Sequence, residues 1–265
     1  MFKPSKRLGQ NFIADKKVLE NIIESSQINK NDLILEIGPG QGSLTYALSE
    51  KAGKVVAVEK DDRLYNYLLD KLGNRKNIEF INDDILNFVG SKKFMETFSA
   101  GDWKVIANIP YYLTSFLLRK ILELKNKPSE IILMVQKEVA ERMVAGSGEM
   151  NLLAVSTQLF AEPSILFSVS KNSFWPKPKV DSMVIKLKVR GGKLDIDEEL
   201  FFKIVKAGFS SKRKVLANNI SDKLGIDKGM VYDIFEGINL DRKIRAQELA
   251  ISDWVKIYEK IQKRL

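Results

Sequence analysis

Short apolar, β-branched runs alternate with amphipathic stretches through most of the chain, and this alternation constrains the fold more than any other feature. The runs are "LILEI" (33–37), "KVVAVE" (54–59), "IEFIN" (78–82), "KVIANI" (104–109), "EIILMVQ" (130–136), "SILFSV" (164–169) and "SMVIKLKV" (182–189). Helix-patterned segments such as "SLTYALSEKA", "DRLYNYLLDKL" and "TSFLLRKILELK" fill the gaps. A strand buried on both faces reads as a continuous apolar run, and parallel neighbours need a crossover helix. The pattern predicts an α/β fold with a Rossmann-like parallel sheet covered on both faces. The last two runs have no clear helix between them, so they are expected to form an antiparallel edge hairpin. Their join carries "FWPKPKV", where two prolines oppose regular structure. After the Gly-Gly of "RGGKLD" (190–195) no strand signal recurs. "EELFFKIVKAGFSSKRKVLANNISDKL" and "AQELAISDWVKIYEKIQKRL" both read as helical. The expected organisation is an α/β domain over 1–194, with a basic N-terminal arm, and a small all-α domain over 195–265.

Two absences narrow the chemistry. The 265 residues include no cysteine and no histidine. Disulfides, zinc–thiolate sites and cysteine nucleophiles are excluded, together with imidazole as a general base. No metal site is expected. The formal net charge of +9 points to a polyanionic partner, nucleic acid or an anionic membrane. From Phe201 onward the chain carries 14 Lys and Arg against 8 Asp and Glu, so most of the excess lies in the tail. No apolar run approaches the length of a membrane span, and "MFKPSKRLGQNF" lacks the apolar core of a secretory signal. A cytoplasmic protein with no membrane partner is the expectation.

Open parallel sheets bind ligands outside the carboxyl ends of their strands. Here those ends carry "EIGPGQGS" (36–43), Glu59, "NDD" with Asp84, and Asn108. Glycines 38, 40 and 42 permit a tight turn and close backbone approach. Their spacing departs from the dinucleotide loop G-x-G-x-x-G, because position 43 is Ser. Glu59 lies about 20 residues beyond the loop, where an acid can hold a ribose diol. Glu36, Glu59 and Asp84 crowd carboxylates into one crevice, and no Lys or Arg falls within the loop. That combination opposes a pyrophosphate and suits a nucleoside bearing positive charge. S-adenosylmethionine, a sulfonium attached to a nucleoside, fits it.

The chain resembles the KsgA-type ribosomal RNA adenine dimethyltransferases over nearly its whole length. The matching segments are "GQNFIAD", "EIGPGQGSLT", Glu59, "DDIL", "NIPYYLTS", "MVQKEVAERM", "FWPKPKVDS", "GFSSKRKVLANNI" and "IRAQEL". The Erm-type enzymes of large-subunit rRNA share the NIPY-like and PKPKV-like motifs. Pro39, the "QKEVAERM" helix and the "SSKRK" tail helix look more like the small-subunit enzymes. Ile109 and Ile13 stand where Leu is commoner, which keeps the Erm-type alternative open. The resemblance implies an S-adenosylmethionine-binding catalytic domain followed by a helical RNA-binding domain. It implies that Asn11, Ile13, Gly38, Glu59, Asp84 and Asn108 line the cofactor site, with Asp84 on the adenine amino group and Glu59 on the ribose. It further implies dimethylation of two neighbouring adenosines in a hairpin near the 3′ end of small-subunit (16S) rRNA.

An exocyclic adenine amine is a weak nucleophile because its lone pair is delocalised into the ring. Two acceptors aimed at its N–H groups would favour the pyramidal nitrogen of the transition state without any imidazole. The Asn108 side-chain oxygen and the Ile109 carbonyl are the expected pair. Pro110 restricts the residue before it to extended geometry and so limits where that carbonyl points. Tyr111 is expected to stack on the extruded base, and Phe174 is the candidate for the opposite ring face. Ordinary core packing beside Trp175 is an equal alternative for Phe174. Lys212, Arg213 and Lys214, read as part of a helix, are expected to grip RNA phosphates, with Arg142, Lys177 and Lys179 extending the track. The expected partner is small-subunit rRNA or an immature small (30S) subunit, bound by a monomer. A factor whose main task is ribosome assembly is a second reading, and a DNA adenine methyltransferase is a third.

Overall fold

A computed structural model describes residues 4–5, 9–99, 101–109, 114–191 and 195–264, with the side chains of Thr114 and Ser115 left aside. The chain divides into two compact units. The first comprises Met1–Ala140 and Phe160–Gly191, and the second comprises Glu141–Leu159 and Gly192–Leu265.

Among the described residues the first unit is built on nine strands: β1 (Phe12–Ile13), β2 (Leu33–Ile37), β3 (Lys54–Glu59), β4 (Ile78–Asn82), β5 (Trp103–Asn108), β6 (Glu130–Gln136), β7 (Ala161–Val169), β8 (Phe174–Trp175) and β9 (Ser182–Val189). Seven of them form one sheet in the order β4-β3-β2-β5-β6-β9-β7. The first five in that order are parallel neighbours. β9 runs antiparallel to β6, and β7 antiparallel to β9, which gives the expected edge hairpin. Pro163 sits in β7, the edge strand, where a missing N–H need not break a ladder on both sides. The chain leaves β2 for β3 and β4 on one side and returns for β5 and β6 on the other. The switch point between β2 and β5 opens a crevice at the carboxyl ends of both.

Period-two alternation sends the strand side chains to two faces. One face carries Ile34, Val55, Ile106, Ile132 and Val184, packed with Val18, Ile22, Leu44 and Leu48 from the helices Lys16–Ser26 and Ser43–Lys51. Trp103 leaves β5 on the opposite parity and joins Phe94 and Phe98, with ring centroids 5.7 and 4.7 Å away. Asp15 caps the first of these helices by accepting the Lys17 amide at 3.0 Å.

Two local expectations are corrected. The "FWPKPKV" join is not wholly irregular: Phe174 and Trp175 form β8, paired antiparallel with Ile13 and Phe12 of β1. The prolines begin at 176, so both residues before them keep the N–H groups a ladder needs. In the second unit, Lys212, Arg213 and Lys214 do not lie on a helix. The helix Glu198–Gly208 stops, a turn follows, and the next helix starts at Leu216. The buried side chain of Asn219 donates to the carbonyls of Gly208 at 2.7 Å and Ser211 at 2.9 Å, satisfying groups that a continuous helix would have used internally.

The second unit packs the helices Glu198–Gly208, Leu216–Leu224, Lys228–Glu236 and Ile251–Gln262 around Phe201, Phe235, Trp254 and Tyr258. A Cβ on Gly208 would lie 2.4 Å from the Trp254 ring, so this glycine makes room for the indole. The backbone amides of Gly148 and Met150 both donate to the Gln247 carbonyl, at 2.9 and 3.1 Å, which ties the 141–159 segment to the tail. Among the described residues no helix is long and apolar enough to cross a membrane.

Candidate active site

The crevice at the switch point is a cleft of about 1100 Å³, counted to its open mouth. Asn11, Ile13, Gly38, Glu59, Asp84, Asn108 and Ile109 all line it, although they are spread over a hundred residues of sequence. Each arrives from a strand end or from the arm. β2 delivers Glu36 and the glycine loop, β3 delivers Glu59 and Lys60, the end of β4 leads to Asp83 and Asp84, and β5 delivers Asn108.

The loop after β2 passes through positive φ at Gly38 (66°), Gly40 (59°) and Gly42 (79°). At Gly40 a second constraint applies. A Cβ there would stand 2.9 Å from Cδ1 of Phe12, so the bare backbone lets the N-terminal arm lie against the loop. The Gly40 amide donates to Oε2 of Glu59 at 3.3 Å, and the Asp61 amide to its Oε1 at 2.9 Å. Burial raises the Glu59 carboxyl above the usual carboxylate range against the pull of these amides.

Asp61 anchors the arm. Its carboxylate accepts from Gln10 Nε2 at 3.0 Å and from the Arg63 guanidinium at 2.9 and 2.6 Å. The Arg63 bonds, against the cost of burial and with help from Gln10, hold its pKa down at about 2. Asn108 Nδ2 donates to the Asn11 carbonyl at 3.1 Å. That bond assigns the amide orientation, so Oδ1 is the atom left to act as an acceptor.

The charge in the cleft differs from the count of acids in the sequence. Glu36 is 1% exposed, and among the described residues its Oε2 has no hydrogen-bond partner. Burial pushes its pKa up to about 8, opposed by Thr45 and reinforced by Glu59. It is therefore mostly protonated near neutrality. Asp84 caps the turn Ile85–Phe88 through the Leu86 amide at 2.9 Å, and its other oxygen meets Lys60 Nζ at 2.6 Å. Burial raises the Asp84 carboxyl, but Lys60 and the Leu86 amide outweigh it and the net shift is downward. Lys60 directly follows Glu59 and lines the cleft. It falls outside the glycine loop, so a search of the loop alone passes over it.

Pro110 and Tyr111 lie outside the described residues. Phe174 is 4% exposed and packs into the sheet core with Val18, Ile22 and Val169, and it is not among the residues lining the cleft. Lys177 and Lys179 are exposed on the loop after β8 in the first unit. Arg142, Lys212, Arg213 and Lys214 are exposed in the second unit, where Lys214 also pairs with Asp222 at 3.3 Å. Gln10 and Lys60, which line the cleft, and Asp61, which binds Gln10, were missed in reading the sequence. The spacing of Glu59, Lys60 and Asp61 at one strand end was the available signal.

The family model for ribosomal RNA adenine dimethylase matches residues 1–263. The chain belongs to that family. This dimethylase is 40% identical to the ribosomal RNA small subunit methyltransferase A of Fusobacterium nucleatum, over 97% of each chain. It is 39% identical to the protein of the same name from Alkaliphilus oremlandii, over 100% of this chain and 94% of the relative. A solved dimethyladenosine transferase from Plasmodium falciparum matches it with a TM-score of 0.82 at 26% identity, covering 96% of this chain and 98% of the other. The 23S rRNA methyltransferase ErmE shares the fold, with a TM-score of 0.74 at 24% identity over 95% and 99% of the two chains. As a member of this family the dimethylase is a methyltransferase.

Proposed function

We propose that the chain transfers methyl groups from S-adenosylmethionine to the N6 amines of two adjacent adenosines in the 3′-terminal hairpin of small-subunit rRNA. The observation that carries this reading is the convergence of Asn11, Ile13, Gly38, Glu59, Asp84 and Asn108 on one cleft at the switch point. The names of these relatives support the small subunit as the source of the RNA.

The donor set fits the methyl donor. Glu59, which lines the cleft, is assigned to the ribose, and Oε2 of buried Glu36, orphaned among the described residues, offers an acceptor to a polar group entering the cleft. Asp84, already engaged by Lys60 and Leu86, keeps lone pairs for an adenine amine. When bound, S-adenosylmethionine supplies an electrophilic methyl on a sulfonium. The protein's part is to position the amine and polarise it. Asn108 Oδ1, oriented by the bond of its Nδ2 to Asn11, and the Ile109 carbonyl accept from the two amine hydrogens. The buried Ile109 side chain pins that carbonyl's backbone. The nitrogen lone pair is thereby drawn out of conjugation, and the excess proton leaves to solvent after transfer. Pro110 and Tyr111 keep their assigned roles in this reading. The core position of Phe174 favours its packing role over base stacking.

RNA phosphates are assigned to Lys177 and Lys179 in the first unit and to Arg142, Lys212, Arg213 and Lys214 in the second. The working state is a cytoplasmic monomer acting on rRNA or an immature small subunit. Labelled S-adenosylmethionine, incubated with small or large subunits and followed by mapping of the label, tests the assignment. The expected label sits on adjacent adenosines of small-subunit rRNA, and label confined to large-subunit rRNA would overturn it.

A further inference from the structure

We propose that Trp175 is a stacking platform at the mouth of the cleft for a nucleotide flanking the target adenosine. This rests on the reading of the chain as an rRNA methyltransferase. The chain has three tryptophans, and two of them, Trp103 and Trp254, are 1% and 0% exposed. Trp175 is 43% exposed. Period-two alternation explains how it comes to be so: β8 turns Phe174 into the core and Trp175 outward.

The exposed indole is placed by its partners. Trp175 stands opposite Phe12 across the β1–β8 pair, with ring centroids 6.5 Å apart and planes 27° from parallel. Phe12 in turn lines the cleft and lies against Gly40. Trp175 is therefore one ring removed from the cleft wall. Trp175 does not itself line the cleft that holds Asn108, so the base assigned to it is a neighbour of the one being methylated.

The platform is rigid. The Lys171 amide donates to Asp181 Oδ1 at 2.9 Å, and the Lys137 amide to the Asp181 carbonyl at 3.1 Å. The Ala14 amide donates to the Ser173 carbonyl at 2.9 Å, and the Ser173 hydroxyl to Asp15 at 3.0 Å. Pro178 is buried, while Lys177 and Lys179 on either side of it are exposed. An exposed aromatic ring held from below, followed two and four residues on by exposed lysines in the same loop, offers one surface for a base and two charges for nearby phosphates. That combination suits single-stranded nucleic acid, whose bases stack regardless of identity. The one acid of this loop, Asp181, is already spent on the loop's own backbone.

Because the other two indoles are buried, the part of the tryptophan emission that acrylamide can reach reports on this site. The experiment titrates the full chain with an RNA hairpin carrying two adjacent adenosines in its loop. RNA is expected to quench the emission and to shield it from acrylamide, and Trp175→Phe should lose both responses. Trp175→Ala should bind the hairpin roughly five- to a hundred-and-fiftyfold more weakly, with Trp175→Phe retaining most of the affinity. Hairpin affinity within twofold of the original in Trp175→Ala, or an indole still open to acrylamide at saturating RNA, would overturn the proposal. So would emission that shifts with protein concentration alone, which would assign the ring to a second copy of the chain. Failure of the unaltered chain to methylate small-subunit rRNA would overturn the functional reading instead, and is measured separately.

Discussion

Gln10 Nε2 donates to Asp61 Oδ2 at 3.0 Å, while its Oε1 accepts the Ser5 amide at 2.7 Å. One side chain thus clasps the N-terminal arm to the strand end that carries Glu59, since the Asp61 amide also donates to that carboxylate. Hydrogen bonds to charged groups contribute more than neutral ones, about 1.5–3 kcal/mol. Gln10→Ala is expected to lower the thermal midpoint and, by loosening the arm at the cleft, to weaken S-adenosylmethionine binding roughly tenfold. Calorimetric titration alongside a melting curve checks it. Unchanged affinity would show that the clasp is ornamental to the site.

Asn108 lines the cleft, and the bond from its Nδ2 to the Asn11 carbonyl leaves its oxygen as the acceptor. Asn108→Ala removes one preorganised group, which in comparable sites costs on the order of a hundred- to a thousandfold in turnover. Single-turnover methyl transfer should fall by that factor, while binding of small-subunit rRNA stays. The same variant separates methylation from assembly. If small subunits mature normally in cells carrying it, binding rather than the methyl marks is the main task.

The expected strand bounds at 33–37, 54–59, 78–82, 130–136 and 182–189 are those of the structure. Buried parallel strands write their identity as uninterrupted apolar runs, so this part of the fold was open to reading. β1 and β8 were not. Each is two residues long, and their pairing is set by the arm folding back, with no periodicity to reveal it. The cleft residues were legible for the same reason as the strands, because they occupy strand ends. Their charge states were not. Glu36 and Asp84 look alike in sequence, yet burial raises the pKa of one while Lys60 and the Leu86 amide lower that of the other. Phe174 and Trp175 were likewise inseparable until β8 fixed which of them faces inward.

The Glu36 carboxyl makes a pH signature. Its pKa is raised from 4.5 to about 8, so between those values the folded chain binds more protons than the unfolded one. The stability that this group contributes is present below about 4.5 and is lost as pH rises through about 8. One proton corresponds to a slope of at most about 1.4 kcal/mol per pH unit within that window. Glu36→Gln keeps the shape and removes the titration. The difference in unfolding free energy between the unaltered chain and this variant should therefore drift against the unaltered chain from pH 5 to 8. Denaturant melts at four pH values read that drift, and parallel curves would show that Glu36 is ionised in the fold.

Gly40 and Gly90 both adopt positive φ, 59° and 91°, but only Gly40 has a ring behind it. Alanine at either position incurs left-handed strain of about 1–2 kcal/mol. Gly40→Ala must also displace Phe12, and with it the stack on Trp175. It should shift tryptophan emission and weaken S-adenosylmethionine binding, whereas Gly90→Ala should lower the thermal midpoint and leave both alone. Matching effects from the two variants would mean that the strain matters and the arm contact does not.

Lys212, Arg213 and Lys214 sit in a turn, where successive side chains are not spaced around a helix and more than one can reach the same strand of RNA. Lys214 already pairs with exposed Asp222, an interaction that water screens strongly and RNA can displace at small cost. Each phosphate contact contributes about 0.7–0.9 to the slope of log affinity against log salt. Replacing all three with alanine should lower that slope by roughly two for hairpin RNA, the equivalent of two to three contacts. Affinity should fall steeply at low salt and converge with that of the unaltered chain as salt rises. Filter binding across a salt series measures both. An unchanged slope would remove this turn from the RNA surface, leaving the tail's positive charge to act elsewhere.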